Sequence, residues 1–250
     1  MSVSNVLAPA PFGASRRILA KEAYVPVSQH AVHTIQQMVK QRDMKPGDRL
    51  PSQRELSEAL GLSRPSLREA ISVLETLGIV RSEPGRGVFV CDQQHAAQVP
   101  GWRFGAQYSE EEVYQVRLCI EPEMTALAAL RLDAGQLAEL GALIDYMHQA
   151  SQHDDLVKVA ACDNAFHRLL CDACDNRMLA EVYHNMLAFV EESQRRPLIK
   201  TKSVWETIRE HEEILKAVEQ RNPQGAHRNM RQHLLGAASR MGIRLVIFFS

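Results

Sequence analysis

The sequence has no apolar run long enough to cross a bilayer, no excess of one charge sign and no cysteine framework, and each lack removes a class of protein. The longest terminal apolar run, Leu245-Val-Ile-Phe-Phe249, falls far short of the ~20 residues of a spanning helix, so no membrane partner is expected. Arg16 and Arg17 superficially resemble an export signal, but Lys21 and Glu22 follow where an apolar stretch would be required. Twenty-nine Lys and Arg stand against thirty Asp and Glu, a balance that by itself points to neither nucleic acid nor a charged surface. The five cysteines, at 91, 119, 162, 171 and 174, are odd in number and lack framework spacing, which predicts reduced thiols and a cytoplasmic location. Aromatic residues make up only 6%, yet 45% of the chain is apolar, enough for one or two globular domains. There is no internal repeat and no low-complexity tract.

What is present is organised in segments. Residues 1–91 carry twelve basic against eight acidic residues, and the remainder seventeen against twenty-two. Residues 1–25 read as a flexible leader, rich in proline and poor in periodic apolar positions. From Val27 a helical period appears through Val32, Ile35, Met38 and Val39 and ends before the turn Lys45-Pro-Gly-Asp48. Ser52-Gln-Arg-Glu55 is a capping box that opens a short helix. Gly61 stops it, and Ser63 or Ser66 caps another whose apolar positions are Leu67, Ala70, Ile71, Leu74 and Leu77. Two helices joined through a three-residue turn with glycine form a helix-turn-helix. Ile79–Ser82 and Val88–Val90 then read as strands around Pro84-Gly-Arg-Gly87. The hairpin makes residues 26–92 a winged helix-turn-helix.

Residues 93–108 lack a sustained period and hold Pro100 and Gly101, which places a linker there. Beyond it, residues 109–250 are helical. Ser109-Glu-Glu-Glu112 is a second capping box, opening a stripe that runs to about Arg131, and Asp133, Asp154, Asn176, Thr201 or Ser203, and Asn222-Pro223 offer further starts. The expected fold is therefore mainly α, a winged helix-turn-helix followed by an all-α bundle of six or seven helices.

Arginine in the first turns of a helix opposes the macrodipole, so Arg64 and Arg68 have no stabilising reason to be there. A DNA major groove supplies one, because a guanidinium can bind guanine or clamp phosphate. Ser63 and Ser66 add hydroxyls beside anion-binding amides. Arg54 could reach the same groove, and Arg86, on a tip with Gly85, could approach the backbone or the minor groove. A solvated face shared with Glu55, Glu58 and Glu69 is the plainer alternative. The stretch KPGDRLPSQRELSEALGLSRPSLREAISVLETLGIVRSEPGRGVFV, residues 45–90, resembles the GntR-type winged-helix regulators nearly throughout. That resemblance implies a dimeric DNA-binding protein in which Arg54, Arg64 and Arg68 contact the operator, Ser63 and Ser66 touch phosphate, and Gly85 and Arg86 form the wing tip. Pro65 departs from the small polar residue many members have there.

In the helical half, Asp163 and His167 lie four apart and share one helix face, while His211 and His233 sit in later apolar-periodic stretches. One carboxylate and three imidazoles suit Zn²⁺ or a similar divalent ion. By spacing alone, three separate core or surface histidines are the simpler reading. Residues 112–237, through VRLCIEPEMTALAA, D...FH, HEEILKAVEQRNPQGA and M..HL, resemble the FCD effector domain of the FadR subfamily. The resemblance implies an internal metal on Asp163, His167, His211 and His233, zinc first with nickel or manganese as alternatives, and a small organic acid as effector. It also implies that Arg117 faces that acid, although a salt bridge to Glu121 on the same helix would equally explain it. Cys171-Asp-Ala-Cys174 has no second such pair and reads as packing. Trp102 and Phe104 read as a cover over a domain junction.

These features predict a non-enzymatic, metabolite-responsive transcriptional regulator. It would be a repressor acting as a homodimer on a pseudo-palindromic double-stranded operator and released by a small carboxylate, such as a sugar acid, bound at the metal. A metal-sensing regulator and, less simply, a metal-dependent enzyme fused to a DNA-binding module are the alternatives.

Overall fold

The computed structural model describes residues 27–91, 102–199 and 201–245. The expected leader, most of the expected linker and the apolar tail beyond Leu245 lie outside the described residues. The first group of elements is α1 (Val27–Gln41), α2 (Gln53–Leu60), α3 (Arg64–Thr76), β1 (Val80–Glu83) and β2 (Gly87–Val90). The second is α4 (Glu110–Ala129), α5 (Ala134–Gln152), α6 (Leu156–Asp172), α7 (Arg177–Asn185), α8 (Leu187–Arg195), α9 (Thr201–Glu219) and α10 (Pro223–Arg240), with a 3-10 turn at Arg196–Ile199 before α9. The fold is mostly helical, and the expected class is what forms.

The caps read from the sequence set the register of the first group. Ser52 Oγ accepts from the Glu55 amide at 3.2 Å while Glu55 Oε2 accepts from the Ser52 amide at 2.7 Å, closing the box at the start of α2. Gly61 ends α2 at φ 63°, a conformation that costs a residue with a Cβ. Ser63 caps α3, its Oγ accepting from the Ser66 amide at 3.3 Å. The inner face of α3, Leu67, Ala70, Ile71 and Leu74, is buried against α1, whose Ala31, Val32 and Ile35 face it. Each fully buried leucine there contributes about 1.5–3 kcal/mol relative to exposure. β1 and β2 pair antiparallel from Val80↔Val90 to Glu83↔Gly87, with Val80, Val88 and Val90 turned inward. The segment before α2 extends this ribbon: the Leu50 amide donates to the Val88 carbonyl at 2.8 Å and the Val90 amide to the Asp48 carbonyl at 2.9 Å.

In the bundle, α10 packs on α4 and α9, and α5 lies against α6 and α9. Val159, Phe166 and Leu170 of α6, with Ile214 of α9 and Leu234 of α10, are buried together. The α4 capping box forms as expected on Ser109 and Glu112, although the helix stops at Ala129 and carries Pro122 within it. Asn176 and Asn222 cap α7 and α10. Asp154 is not the start of α6. Asp155 caps it instead, because Asp154 takes a left-handed φ of 52° in the turn before it. Cys171 and Cys174 are buried with Met124, Tyr183 and Val190, as packing residues should be, and all five cysteines are free thiols.

The two groups touch. Thr76, the last residue of α3, donates its hydroxyl to Glu192 Oε1 of α8 at 3.0 Å, and Lys40 Nζ donates to the His153 carbonyl at 3.0 Å. Phe104 and Tyr108 pack edge-on against Phe189 of α8 at 4.5 and 5.3 Å between ring centres, with Trp102 against Phe104 at 5.6 Å. These aromatics therefore anchor the entry to the bundle on α8.

Candidate functional site

Two sites emerge, at opposite extremes of exposure. The first is the end of the winged domain. Arg64 and Arg68 are exposed on the first two turns of α3 and have no ion-pair partner among the described residues. Ser63 Oγ and Ser66 Oγ lie 2.8 Å apart at the same helix start. Arg54, on α2, is exposed and only loosely paired with Glu58 at 3.7 Å, a contact worth little in water. At the wing, Arg86 is paired with Glu83, which also pairs with Arg81. The two guanidinium groups lie 5.4 and 5.5 Å from the Phe89 ring centre. Gly85 holds φ 72° at the tip.

Between the wing and the start of α2 runs a groove of about 380 Å³, lined among others by Arg49, Ser52, Gln53, Glu83, Gly85 and Arg86. Arg49 escaped the sequence reading. Its signal was its place beside the Lys45–Asp48 turn, but only the ribbon pairing brings it to Gly87, where a Cβ would come within 2.7 Å of Arg49 Nε. Glycine at 87 is what lets that guanidinium lie along the wing.

The second site lies inside the bundle. Asp163 and His167 from α6, His211 from α9 and His233 from α10 bring one donor atom each to within 4.8 Å of one another, and all four residues are buried. The ring centres are 5.4 Å apart for His167 and His211, 5.1 Å for His167 and His233, and 4.7 Å for His211 and His233. Asp163 Oδ1 stands 3.2 Å from His211 Nε2. The structure thus gathers the four positions that spacing alone had left separate.

What orients the rings was not visible in the sequence. Each histidine is held through Nδ1: His167 by Glu121 Oε2 at 2.7 Å, His211 by the Thr207 carbonyl at 2.8 Å, and His233 by Glu210 Oε2 at 2.9 Å. The two carboxylates are themselves clamped. Arg117 Nε donates to Glu121 Oε1 at 2.6 Å, and Arg240 gives Glu210 two bonds at 2.7 and 2.9 Å. Outer partners of this kind fix a ring's tautomer and aim its other nitrogen. The Nε2 atom of His167 is buried without a hydrogen-bond partner, and that of His211 faces only the Asp163 carboxylate; a buried polar atom costs about 1–3 kcal/mol if nothing answers it.

The electrostatics follow the burial. Desolvation drives His233 down to about 4, and the neighbouring His211 and His167 push the same way against Glu210, so its imidazole is neutral at neutral pH. Burial by itself raises the Asp163 carboxyl, but the adjacent His211, with His167 and His233, outweighs it and holds the group well below the usual carboxylate range. Burial likewise opposes ionisation of Glu121, yet Arg117 and His167 bring it to about 2. The neutral imidazole of His233, an ionised carboxylate and inward-facing Nε2 atoms on His167 and His211 fit a borderline divalent cation.

Arg117 is fully engaged. Beyond Glu121 it donates Nη1 to Ser193 Oγ at 2.9 Å and lies 5.3 Å from the Tyr114 ring centre. The salt bridge foreseen as the alternative explanation is therefore present. Tyr183, also buried, has a hydroxyl with no partner. A second donor group, Cys171, Asp172 and His184, is half exposed and already contains an ion pair at 3.1 Å.

Residues 27–90 match the gntR family of bacterial regulatory proteins, and residues 112–236 match the FCD domain. Among similar curated proteins, the HTH-type transcriptional regulator LutR of Bacillus subtilis is 28% identical, covering 79% of this chain and 93% of its own. The Glc operon transcriptional activator of Escherichia coli is 28% identical over 86% and 88%. The HTH-type transcriptional repressor NanR of Citrobacter rodentium is 26% identical over 90% and 89%. A solved structure of a GntR regulator from Rhodococcus sp. RHA1 shares the fold, with a TM-score of 0.51 and 20% identity over 87% of this chain and 98% of that one. The named relatives are transcriptional regulators, not enzymes, and no described helix is long and apolar enough to cross a membrane.

Proposed function

The chain belongs to the gntR family of bacterial regulatory proteins and carries an FCD domain, and from that premise we propose that this transcriptional regulator is a cytoplasmic repressor whose operator binding is controlled by a small organic acid held at a metal inside the bundle. The observation that carries this reading is the inward aim of three histidines, each fixed at Nδ1 by a separate partner, onto the carboxylate of Asp163. A divalent ion on these four side chains would supply a positive centre for an acid's carboxylate. Zinc suits the donor set best, with nickel and manganese next.

For the acid to use Arg117 as well, it must share or take that guanidinium from Glu121 and Ser193. At the other end, Arg54, Arg64 and Arg68 would meet double-stranded operator DNA, Ser63 and Ser66 its phosphates, and Gly85 and Arg86 of the wing the adjacent groove. Arg49 joins them from the groove beside the wing. Repression is the proposed sense of control, as in the relative named a repressor. A homodimer is supported by an exposed apolar surface on two adjacent helices, Val116 and Leu127 of α4 and Leu130 just past its end, with Met178 and Val182 of α7. Two copies joined there would present paired recognition helices to a pseudo-palindrome.

The test is metal analysis of the purified protein beside His211→Ala, followed by operator titration with metal, with and without sugar acids, hydroxy acids and dicarboxylates. One metal per chain, lost in the variant, and an acid that weakens operator binding are expected. Metal-independent behaviour of both would overturn the reading, and operator affinity that tracks the metal with no acid effect would make the protein a metal sensor.

A further inference from the structure

The buried centre is joined to α3 by two runs of buried polar contacts that meet on neighbouring residues of α8, Ser193 and Glu192, and the last link crosses from one domain to the other. His167 Nδ1 meets Glu121 Oε2 at 2.7 Å, Arg117 Nε donates to Glu121 Oε1 at 2.6 Å, and Arg117 Nη1 donates to Ser193 Oγ at 2.9 Å. Ser193 is further held by Tyr114, whose hydroxyl donates to its carbonyl at 3.1 Å. The next residue back on α8, Glu192, accepts at 3.0 Å from the Thr76 hydroxyl, whose single proton is shared with the Ser72 carbonyl, also at 3.0 Å. Successive helix positions point about 100° apart, so α8 turns one side chain toward α4 and its neighbour toward α3. Every member is buried, from Glu121 at 2% to Thr76 at 3% and Ser193 at 0%.

Glu192 is the unusual member. Its Oε2 has no hydrogen bond, and Arg195 Nη1 stands 3.8 Å from it. A buried carboxylate with so few partners is costly, which makes its single strong contact, the one to Thr76, sensitive to any small movement of α8. Thr76 in turn ends the helix that begins at Arg64, about 18 Å away along its axis.

We propose that Glu192 and Thr76 form a docking latch for the recognition helix, set by the position of Arg117 and Ser193. Resting on the metal-site reading above, it specifies how that site controls DNA binding. While Arg117 spans Glu121 and Ser193, α8 is held and the latch is closed. A ligand that draws Arg117 toward the metal releases Ser193, α8 shifts, and the C-terminal end of α3 comes free of the bundle. The site and the latch are two ends of one two-state element, as thermodynamic coupling requires.

Hydrogen exchange of the last turn of α3, Leu74–Leu77, reads the latch in the full chain without any operator. Ser193→Ala, which cuts the run inside the bundle, is expected to speed that exchange about fivefold or more, and Thr76→Val to speed it as much. The double variant should add nothing further. If Ser193→Ala leaves the last turn of α3 unchanged, or if the two effects simply add, the latch is overturned. Zn²⁺ titrated by calorimetry judges the site separately. Because coupling is reciprocal, zinc that alters α3 exchange in wild type must bind Thr76→Val with a correspondingly changed affinity; that pair of results supports the latch, and an equal zinc effect on α3 exchange in both proteins refutes it. A wild type that takes no zinc sinks the site reading while the Ser193→Ala arm still decides the latch.

Discussion

Arg64 and Arg68 stand exposed at the start of α3 with no acidic partner among the described residues, whereas Arg117 and Arg240 are covered by the bundle, each clamped on a carboxylate that orients a histidine. The same side chain thus does two jobs. At the surface, an arginine set against its own helix dipole is ready for a partner from outside. In the interior, an arginine without a carboxylate could not be tolerated, so its charge is spent on geometry. Net charge sees neither, since both kinds count equally toward the near-neutral total.

The sharpest way to break this comparison is to remove one arginine of each kind. Arg117→Ala leaves Glu121 buried with only the His167 imidazole beside it, and should cost about 3–5 kcal/mol of stability in chemical denaturation. Loss of under 1 kcal/mol would mean that the interior arginine is as dispensable as a surface one. Arg64→Ala should do the reverse, leaving denaturation unchanged and weakening operator binding by about 1–3 kcal/mol. Arg42→Ala should lose less. Equal small losses for the two in a fixed-salt titration would remove α3 from the groove.

Acidification separates the regions further. Without metal, His233 at about 4 lies below its unfolded value, so the unfolded chain binds the proton first and stability falls as pH drops from about 6.5 toward 4. Glu121 and Glu210, both at about 2, add a further loss below about 4.5. Denaturation in chelator across pH 7 to 4 should show the first decline, and His233→Gln should flatten it. The smallest effect expected is that of Ser63→Ala, which removes the α3 cap at a cost of about 1 kcal/mol, measurable as a modest drop in the denaturation midpoint.

The winged half was largely legible because its information is local. Ser52, Glu55, Gly61 and Ser63 each bond a residue no more than four positions away, and a turn with glycine between two apolar periods leaves few alternatives. The four candidate ligands were legible by residue type and by the i, i+4 pairing of Asp163 and His167. Their supports were not, since Glu121, Thr207 and Glu210 act on histidines through packing of separate helices. Glu210 is next to His211 in sequence yet serves His233. Asp154 was the cap expected for α6, and only its left-handed turn passes that role to Asp155. Arg49 and Glu192 were invisible for the same reason, each defined by a strand or helix that folds back on it.

The aromatic anchor of Trp102, Phe104 and Tyr108 on Phe189 has a kinetic consequence. The ten residues between Cys91 and Trp102 can reach no more than about 36 Å, and their far end is fastened to the helix that carries Glu192. An α3 released from α8 would therefore stay on a short leash, at an effective concentration on the order of millimolar. Opening the contact between Thr76 and Glu192 then need not scatter the domain, and return to the docked state becomes an intramolecular event, insensitive to how much protein is present.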